Sequence, residues 1–257
     1  MTAFRVFAVF AVVFSLLAAA RAQVKTAVPL PVKPAYETSL QAVVVVTPNW
    51  QSVPGTGRLF ERKKPSSKWK AVGVEFPVVV GRTGLGADIP NFDTKPLSPI
   101  KREGDGRSPA GMFPLISTFG IGSMQDAVKL PYIKLDEFTE CVDDTRSSFY
   151  NQIVNRMQVG NFDWKSSEKM FTVRPQYELG VFVAYNSYPA IRGNGSCIFL
   201  HIWKDATTAT SGCTAMAREE LERIVKWLDP AKNPYLVQMT EAEYNSHRKS
   251  LRLPKLK

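Results

Sequence analysis

Short runs of β-branched and aromatic residues, each set between turn residues, recur along the chain and limit what it can fold into. Ala42-Val43-Val44-Val45-Val46-Thr47 is one, and Phe76-Pro77-Val78-Val79-Val80-Gly81 is similar. Val181-Phe182-Val183-Ala184-Tyr185, Cys197-Ile198-Phe199-Leu200-His201-Ile202 and Tyr235-Leu236-Val237-Gln238-Met239 complete the set. One helix stands out between Ala217 and Leu228, where Leu221, Ile224, Val225 and Leu228 recur at i, i+3, i+4 and i+7, with Pro230 marking its end. A weaker helical stretch is expected over 146–157. Strands that do not alternate regularly with helices exclude a parallel α/β fold. The expected class is mainly β, a β-rich α+β domain with one amphipathic helix.

Residues 1–22 have the pattern of a signal peptide. Arg5 precedes an apolar run from Val6 to Ala20, and Ala20-Arg21-Ala22 fits the small-x-small cleavage site. That run is shorter than the ~20 residues needed to cross a bilayer. A cleaved leader and an exported mature chain are therefore expected, with membrane contact only through the leader. Residues 23–39, with Pro29, Pro31 and Pro34, read as a linker. Residues 40–240 form a single domain large enough for a sizeable core, and 241–257 a basic, solvated tail. Net charge is +10 for the full chain and +8 once Arg5 and Arg21 are removed, (33 − 2) − 23. That sign suits a polyanionic partner. In an exported protein, a carboxylate-rich cell wall fits better than nucleic acid, which is not expected.

Of the two histidines, one lies in the basic tail. His201 ends a strand-like run, and a small polar loop from Lys204 to Gly212 separates it from Cys213. A strand and a returning loop can bring imidazole to thiol, and the thiolate so formed is the reactive species. Gly212 permits a tight turn and close substrate approach, and amides near Gly212 and Cys213 could hold an oxyanion. Each residue also has a structural reading, as a satisfied core histidine and a small buried hydrophobe. Three cysteines in an oxidising compartment leave one unpaired, and Cys141 with Cys197 is the pairing that spares Cys213. A zinc site built on Cys197-x3-His201 and Cys213 lacks both a Cys-x2-Cys knuckle and a second nearby histidine. Ser211 does not sit in a Gly-x-Ser-x-Gly elbow. No metal and no cofactor is expected.

The stretch from Gly195 through His201-Ile202-Trp203 to Thr210-Ser211-Gly212-Cys213-Thr214-Ala215-Met216 resembles the catalytic segment of YkuD-type L,D-transpeptidases. That family's pattern is a histidine, a short loop and Ser/Thr-x-Gly-Cys. The segment Lys101-Arg102-Glu103-Gly104-Asp105-Gly106-Arg107-Ser108-Pro109-Ala110-Gly111 is similar to a family turn leading into a strand near the active site. Cys141-Val142-Asp143-Asp144, Tyr150-Asn151 and Trp227-Leu228-Asp229-Pro230 look like one branch of the family, and the resemblance runs from about Val43 to Met239. It implies a β-sandwich or barrel catalytic domain acting on peptidoglycan stem peptides. Cys213 would attack the carbonyl of the third stem residue, D-alanine would leave, and an amine of a neighbouring stem would resolve the thioester into a 3→3 cross-link. His201 would be the base that later donates a proton, oriented by the Ile202 carbonyl, with Gly212 and Cys213 supplying oxyanion amides. Acylation of Cys213 by carbapenems and a periplasmic or wall-associated location also follow from the resemblance.

Two departures bear on substrate contacts. Ser211 stands where many members have histidine, and Ala215 where many have arginine or asparagine. Asn186, just past a strand, is a further candidate for the site. Water in place of the amine would make an L,D-carboxypeptidase or cross-link hydrolase, and a structural Cys213 would leave a non-catalytic wall-binding protein.

Overall fold

A computed structural model describes residues 35–88, 98–123 and 127–256. The expected signal peptide and residues 23–34 of the expected linker lie outside the described residues. Thirteen strands and three α-helices are found among those described. In chain order the strands are β1 (Gln41–Thr47), β2 (Pro54–Glu61), β3 (Lys70–Val79), β4 (Leu85–Ala87), β5 (Ser108–Gly120), β6 (Tyr132–Lys134) and β7 (Thr139–Val142). They continue with β8 (Ile153–Asn155), β9 (Ser167–Lys169), β10 (Leu179–Val183), β11 (Phe199–Ile202), β12 (Thr214–Met216) and β13 (Tyr235–Thr240). The helices are α1 (Arg156–Val159), α2 (Arg218–Trp227) and α3 (Glu241–His247).

The main sheet has ten strands, in the order β10-β11-β12-β3-β2-β1-β13-β5-β4, with β6 added on β5. Because β10 also pairs antiparallel with β5, the sheet closes on itself as a barrel and leaves β4 and β6 outside the ring. Closure removes the open edges that a sheet otherwise exposes. A separate three-stranded sheet, β8-β7-β9, lies alongside.

Alternation of side chains along the strands sorts the core. Val43 and Val45 of β1, Phe76 and Val78 of β3, Phe113 and Leu115 of β5, Val181 and Val183 of β10, and Leu200 and Ile202 of β11 share one cluster, the barrel interior. The intervening residues of β1, Ala42 and Val44, belong to a second cluster with Tyr235, Val237, Tyr244 and Leu253. Being covered on both faces is why β1 reads as an unbroken apolar run. A third cluster on the outside of the wall joins Phe119, Phe182 and Phe199 to Cys141, Met170, Tyr177, Cys197 and Cys213.

The predicted amphipathic helix is α2. Leu221, Ile224 and Val225 are buried in the interior cluster, each worth roughly 1.5–3 kcal/mol of burial. Glu219 and Glu220 in its first turn and Lys226 in its last complement the helix dipole. The Leu228 amide closes the end on the Ile224 carbonyl before Pro230 stops propagation.

Three expectations are corrected. Residues 146–157 do not form a helix beyond the single turn of α1. There the Asp144 carboxylate accepts from the Arg146 and Lys165 amides, Ser147 and Ser148 bond Asp163, and Asn151 adopts φ 63°. Local side-chain bonds of this kind compete with helical ones. The tail is not solvated and frayed. Thr240 caps α3 by accepting from the Glu243 amide at 3.2 Å, and Tyr244 and Leu253 are buried. Nor is the linker extended to residue 39: Tyr36 is buried edge-on to Tyr235 at 5.4 Å, and the Asn233 side-chain amide holds the Ala35 carbonyl. No described helix is long and apolar enough to cross a membrane.

Candidate active site

The period-two pattern of a strand determines which side chains meet outside the barrel. On β11, Leu200 and Ile202 point inward, so Phe199 and His201 face outward. β12 runs parallel beside it with Leu200 opposite Thr214 and His201 opposite Ala215. Cys213, immediately before β12, therefore emerges on the same outer face as His201. Both line a cavity of about 550 Å³, with Ala215, Tyr177, Glu168, Glu103, Lys101 and the 208–212 loop among its walls.

The Cys213 thiol is buried, donates to the Cys197 carbonyl at 3.5 Å and accepts from the Phe199 amide at 3.3 Å. Burial pushes its pKa well up, and the nearby Glu168 carboxyl adds to this, while the Phe199 amide opposes them. His201 Nδ1 lies 2.8 Å from the Ile202 carbonyl, which accepts its proton and leaves Nε2 as the basic nitrogen. Burial lowers the imidazole to about 4, so it is neutral at neutral pH. The pair is thus a neutral thiol and a neutral, oriented imidazole. Such a pair exchanges its proton only when developing charge is stabilised, as when a carbonyl carbon is attacked.

Backbone geometry at the thiol is held from two sides. The Cys213 carbonyl accepts from the Ser108 hydroxyl at 2.8 Å and the Thr210 hydroxyl at 2.6 Å, and Ser108 in turn accepts from the Gly81 amide. Gly212 has φ 152°, and a Cβ there would meet the Arg107 carbonyl at 3.1 Å. Its amide donates to Thr210 Oγ1 at 3.1 Å, so it is engaged before any substrate arrives. Ser211 lines the cavity and is exposed.

Asn186 does not line this cavity. Its side chain bonds the Ile191 backbone on both sides and the Gly195 carbonyl, tying the loop between β10 and β11. A polar residue at positive φ just past a strand closes loops as readily as it lines sites, and here it does the former. Cys141 and Cys197 form a disulfide with Cα atoms 5.9 Å apart, and Cys213 is free. The bridge occupies the Cys197 sulfur, so the Cys197, His201 and Cys213 trio is not available to zinc.

In the 101–111 segment, Asp105 accepts from Lys101 Nζ at 2.8 Å and from the Arg102 and Arg107 amides, fastening the turn that leads into β5. Glu103 accepts from the Tyr150 and Ser196 hydroxyls at the cavity wall. The side chains that sequence reading missed are Ser108, Thr210, Tyr177 and Glu168. Ser108 and Thr210 stood inside the quoted motifs, each two residues from a glycine. No local pattern marks Tyr177 or Glu168, which reach the cavity from distant segments.

A closed β-barrel with a thiol and a carbonyl-oriented imidazole in one outer cavity has the composition of a cysteine-dependent acyl-transfer domain. The family model of the L,D-transpeptidase catalytic domain (YkuD) matches residues 58–237, more than half of the chain, and the chain belongs to this family. Its members are cysteine-dependent and act on peptidoglycan peptides. No curated protein and no solved structure matches the chain.

Proposed function

We propose that this protein is an exported, periplasmic or wall-associated L,D-transpeptidase that forms 3→3 cross-links or protein-to-wall links through a thioester on Cys213. The observation that carries the reading is the neutral His201, oriented by Ile202, sharing one cavity with the buried Cys213 thiol just before the adjacent parallel strand. As the sulfur attacks the carbonyl of the third stem residue, its proton passes to His201 Nε2. The imidazolium then protonates the departing D-alanine amine, leaving the acyl group on sulfur and a neutral imidazole. As an oxyanion donor, the Gly212 amide must exchange Thr210 Oγ1 for the substrate oxygen. Carbapenems should acylate the same thiol, which a covalent adduct in the intact mass would reveal.

Mass spectrometry of tetrapeptide-stem muropeptides incubated with the protein and with its Cys213→Ala variant tests the reading. A dimer lacking one D-alanine, absent with the variant, is expected. A shortened tripeptide alone would instead make the protein an L,D-carboxypeptidase or cross-link hydrolase. No product from either protein, and no covalent adduct with a carbapenem, would make it a wall-binding protein.

A further inference from the structure

An amine that resolves the thioester arrives as an ammonium ion, which has no lone pair. It must lose one proton before it attacks and a second as the tetrahedral intermediate collapses. His201 can take one of these. We propose that Glu168 is a further catalytic residue of this site, the base that takes the first proton from the acceptor ammonium. The inference rests on the transpeptidase reading above.

Glu168 is placed for this by the same strand alternation that sorts the barrel. Its neighbours on β9, Ser167 and Lys169, both bond Glu140 at 2.6 Å on one face of the small sheet. Glu168 faces the other way and lines the cavity with Cys213 and His201. Its Oε2 accepts from the Tyr177 hydroxyl at 2.6 Å, and Tyr177 packs in the same cluster as Cys213 and lines the same cavity. The Tyr177 ring meets the His201 ring edge-on at 5.3 Å, which places both bases around one reacting centre.

Charged groups of both signs surround Glu168. Asp143, following β7, and Glu103, from the 101–107 turn, are the other carboxylates lining the cavity, and Glu168 makes no ion pair among the described residues. Arg82, Lys101 and Lys204 also line the cavity, and Asp105 holds the Lys101 ammonium at 2.8 Å. Lys169 is turned to the opposite face, on Glu140. Burial first, then Asp143 and Glu103, raise the Glu168 carboxyl from 4.5 to about 7, against the pull of the Tyr177 hydroxyl. Against a primary amine near ~10.4, the uphill gap for proton transfer falls from roughly 6 units to roughly 3.

The steps balance. The acceptor ammonium gives one proton to the Glu168 carboxylate and becomes a free amine. Its lone pair forms the N–C bond at the thioester carbonyl, and the C–S bond breaks as the intermediate collapses. The second amine proton passes to neutral His201 and from there to the Cys213 sulfur, restoring the thiol. Glu168 returns its proton to solvent. Water needs only one of these bases, so Glu168 distinguishes amine transfer from hydrolysis.

The test separates the two half-reactions by intact mass, using a tetrapeptide-stem donor and a tripeptide-stem monomer as acceptor. In Glu168→Gln, which can still accept from Tyr177, the acyl-enzyme should accumulate and dimer formation should fall by about 100-fold. Hydroxylamine, already a free base at neutral pH, should discharge the wild-type and variant acyl-enzymes alike. Transfer to the stem amine at the wild-type rate in Glu168→Gln would overturn the proposal. Should the variant fail to fold, the wild-type profile decides: discharge by the stem amine should bend near pH 7 and discharge by hydroxylamine should not, and two profiles of the same shape would overturn it. An unacylated wild-type protein would instead remove the transpeptidase reading itself.

Discussion

His201 and Glu168 share a cavity, yet burial moves their protonation in opposite directions because it disfavours whichever form is charged. His201 protonates near pH 4 in the fold against 6.5 in an unfolded chain. Between those values the unfolded chain binds more protons. The stability from this imidazole is therefore complete above pH 6.5 and is lost as pH falls towards 4, up to about 3 kcal/mol. Glu168 runs the other way, from 4.5 unfolded to about 7 folded, so its contribution is present below 4.5 and lost as pH rises through 7. Across roughly pH 4.5–6.5 the two slopes oppose each other. His201→Gln should therefore make stability fall more steeply with rising pH than in the wild type, and Glu168→Gln should make it rise. Urea midpoints across that window check this, and parallel curves for all three proteins would contradict it. At this scale, Cys213 and His201 were legible because Thr-Ser-Gly-Cys and a strand-end histidine are local patterns. The placement of Glu168 and Tyr177 in the cavity arises only from packing.

Among the elements, β1, β13 and α2 announce themselves by periodicity, since each has a fixed relation to the barrel interior. The 146–157 stretch misled because the flanking Asp144 and Asp163 accept from its Arg146 and Ser148 amides and hold the backbone locally instead. The small sheet around β7 depends on a covalent tie. Cys141 on β7 bonds Cys197, which precedes β11, adopts φ 55° and presents its carbonyl to the Cys213 thiol. Closing a 56-residue separation is worth about 4 kcal/mol on a loop-entropy model. The double variant Cys141→Ala, Cys197→Ala should lose stability on that order and change the alkylation rate of Cys213. Denaturation with and without reductant checks the first effect in the wild type. Midpoints that do not move under reductant would show that the bridge contributes nothing.

For the whole molecule, the ring is assembled from long-range pairings. β1 lies parallel to β13 from the far end of the chain, and β5 bridges β13 to β10. The outer cluster fastens both ends of the described chain to this seam. Tyr36 and Leu253 join Tyr235 and Tyr244, and the Tyr244 hydroxyl donates to the Pro254 carbonyl at 2.9 Å. Tyr244→Ala should cost about 3–5 kcal/mol, the range for emptying a large aromatic site. At about 2–4 °C per kcal/mol for a chain this size, the thermal midpoint should drop by roughly 10 °C or more. Calorimetry checks this, and a midpoint within a degree or two of the wild type would return the tail to a solvated role. Cys213 alkylation, which depends on a separate outer cluster, should be unaffected.

Periodicity and short motifs are local, and they determined what local information can: a β-rich chain, one amphipathic helix, and a thiol and imidazole presented from neighbouring segments. The closed ring was beyond them, because β10–β5 pairing joins residues whose spacing carries no signal. The packed tail was hidden by its basic residues, which outnumber the few apolar ones that hold it down. The tertiary structure alone decided that Glu168 and Tyr177 line the cavity with Cys213, that Asn186 does not, and that Ser108 and Thr210 hold the Cys213 carbonyl. Those placements depend on which faces meet when the barrel closes, and contact between distant faces has no period to read.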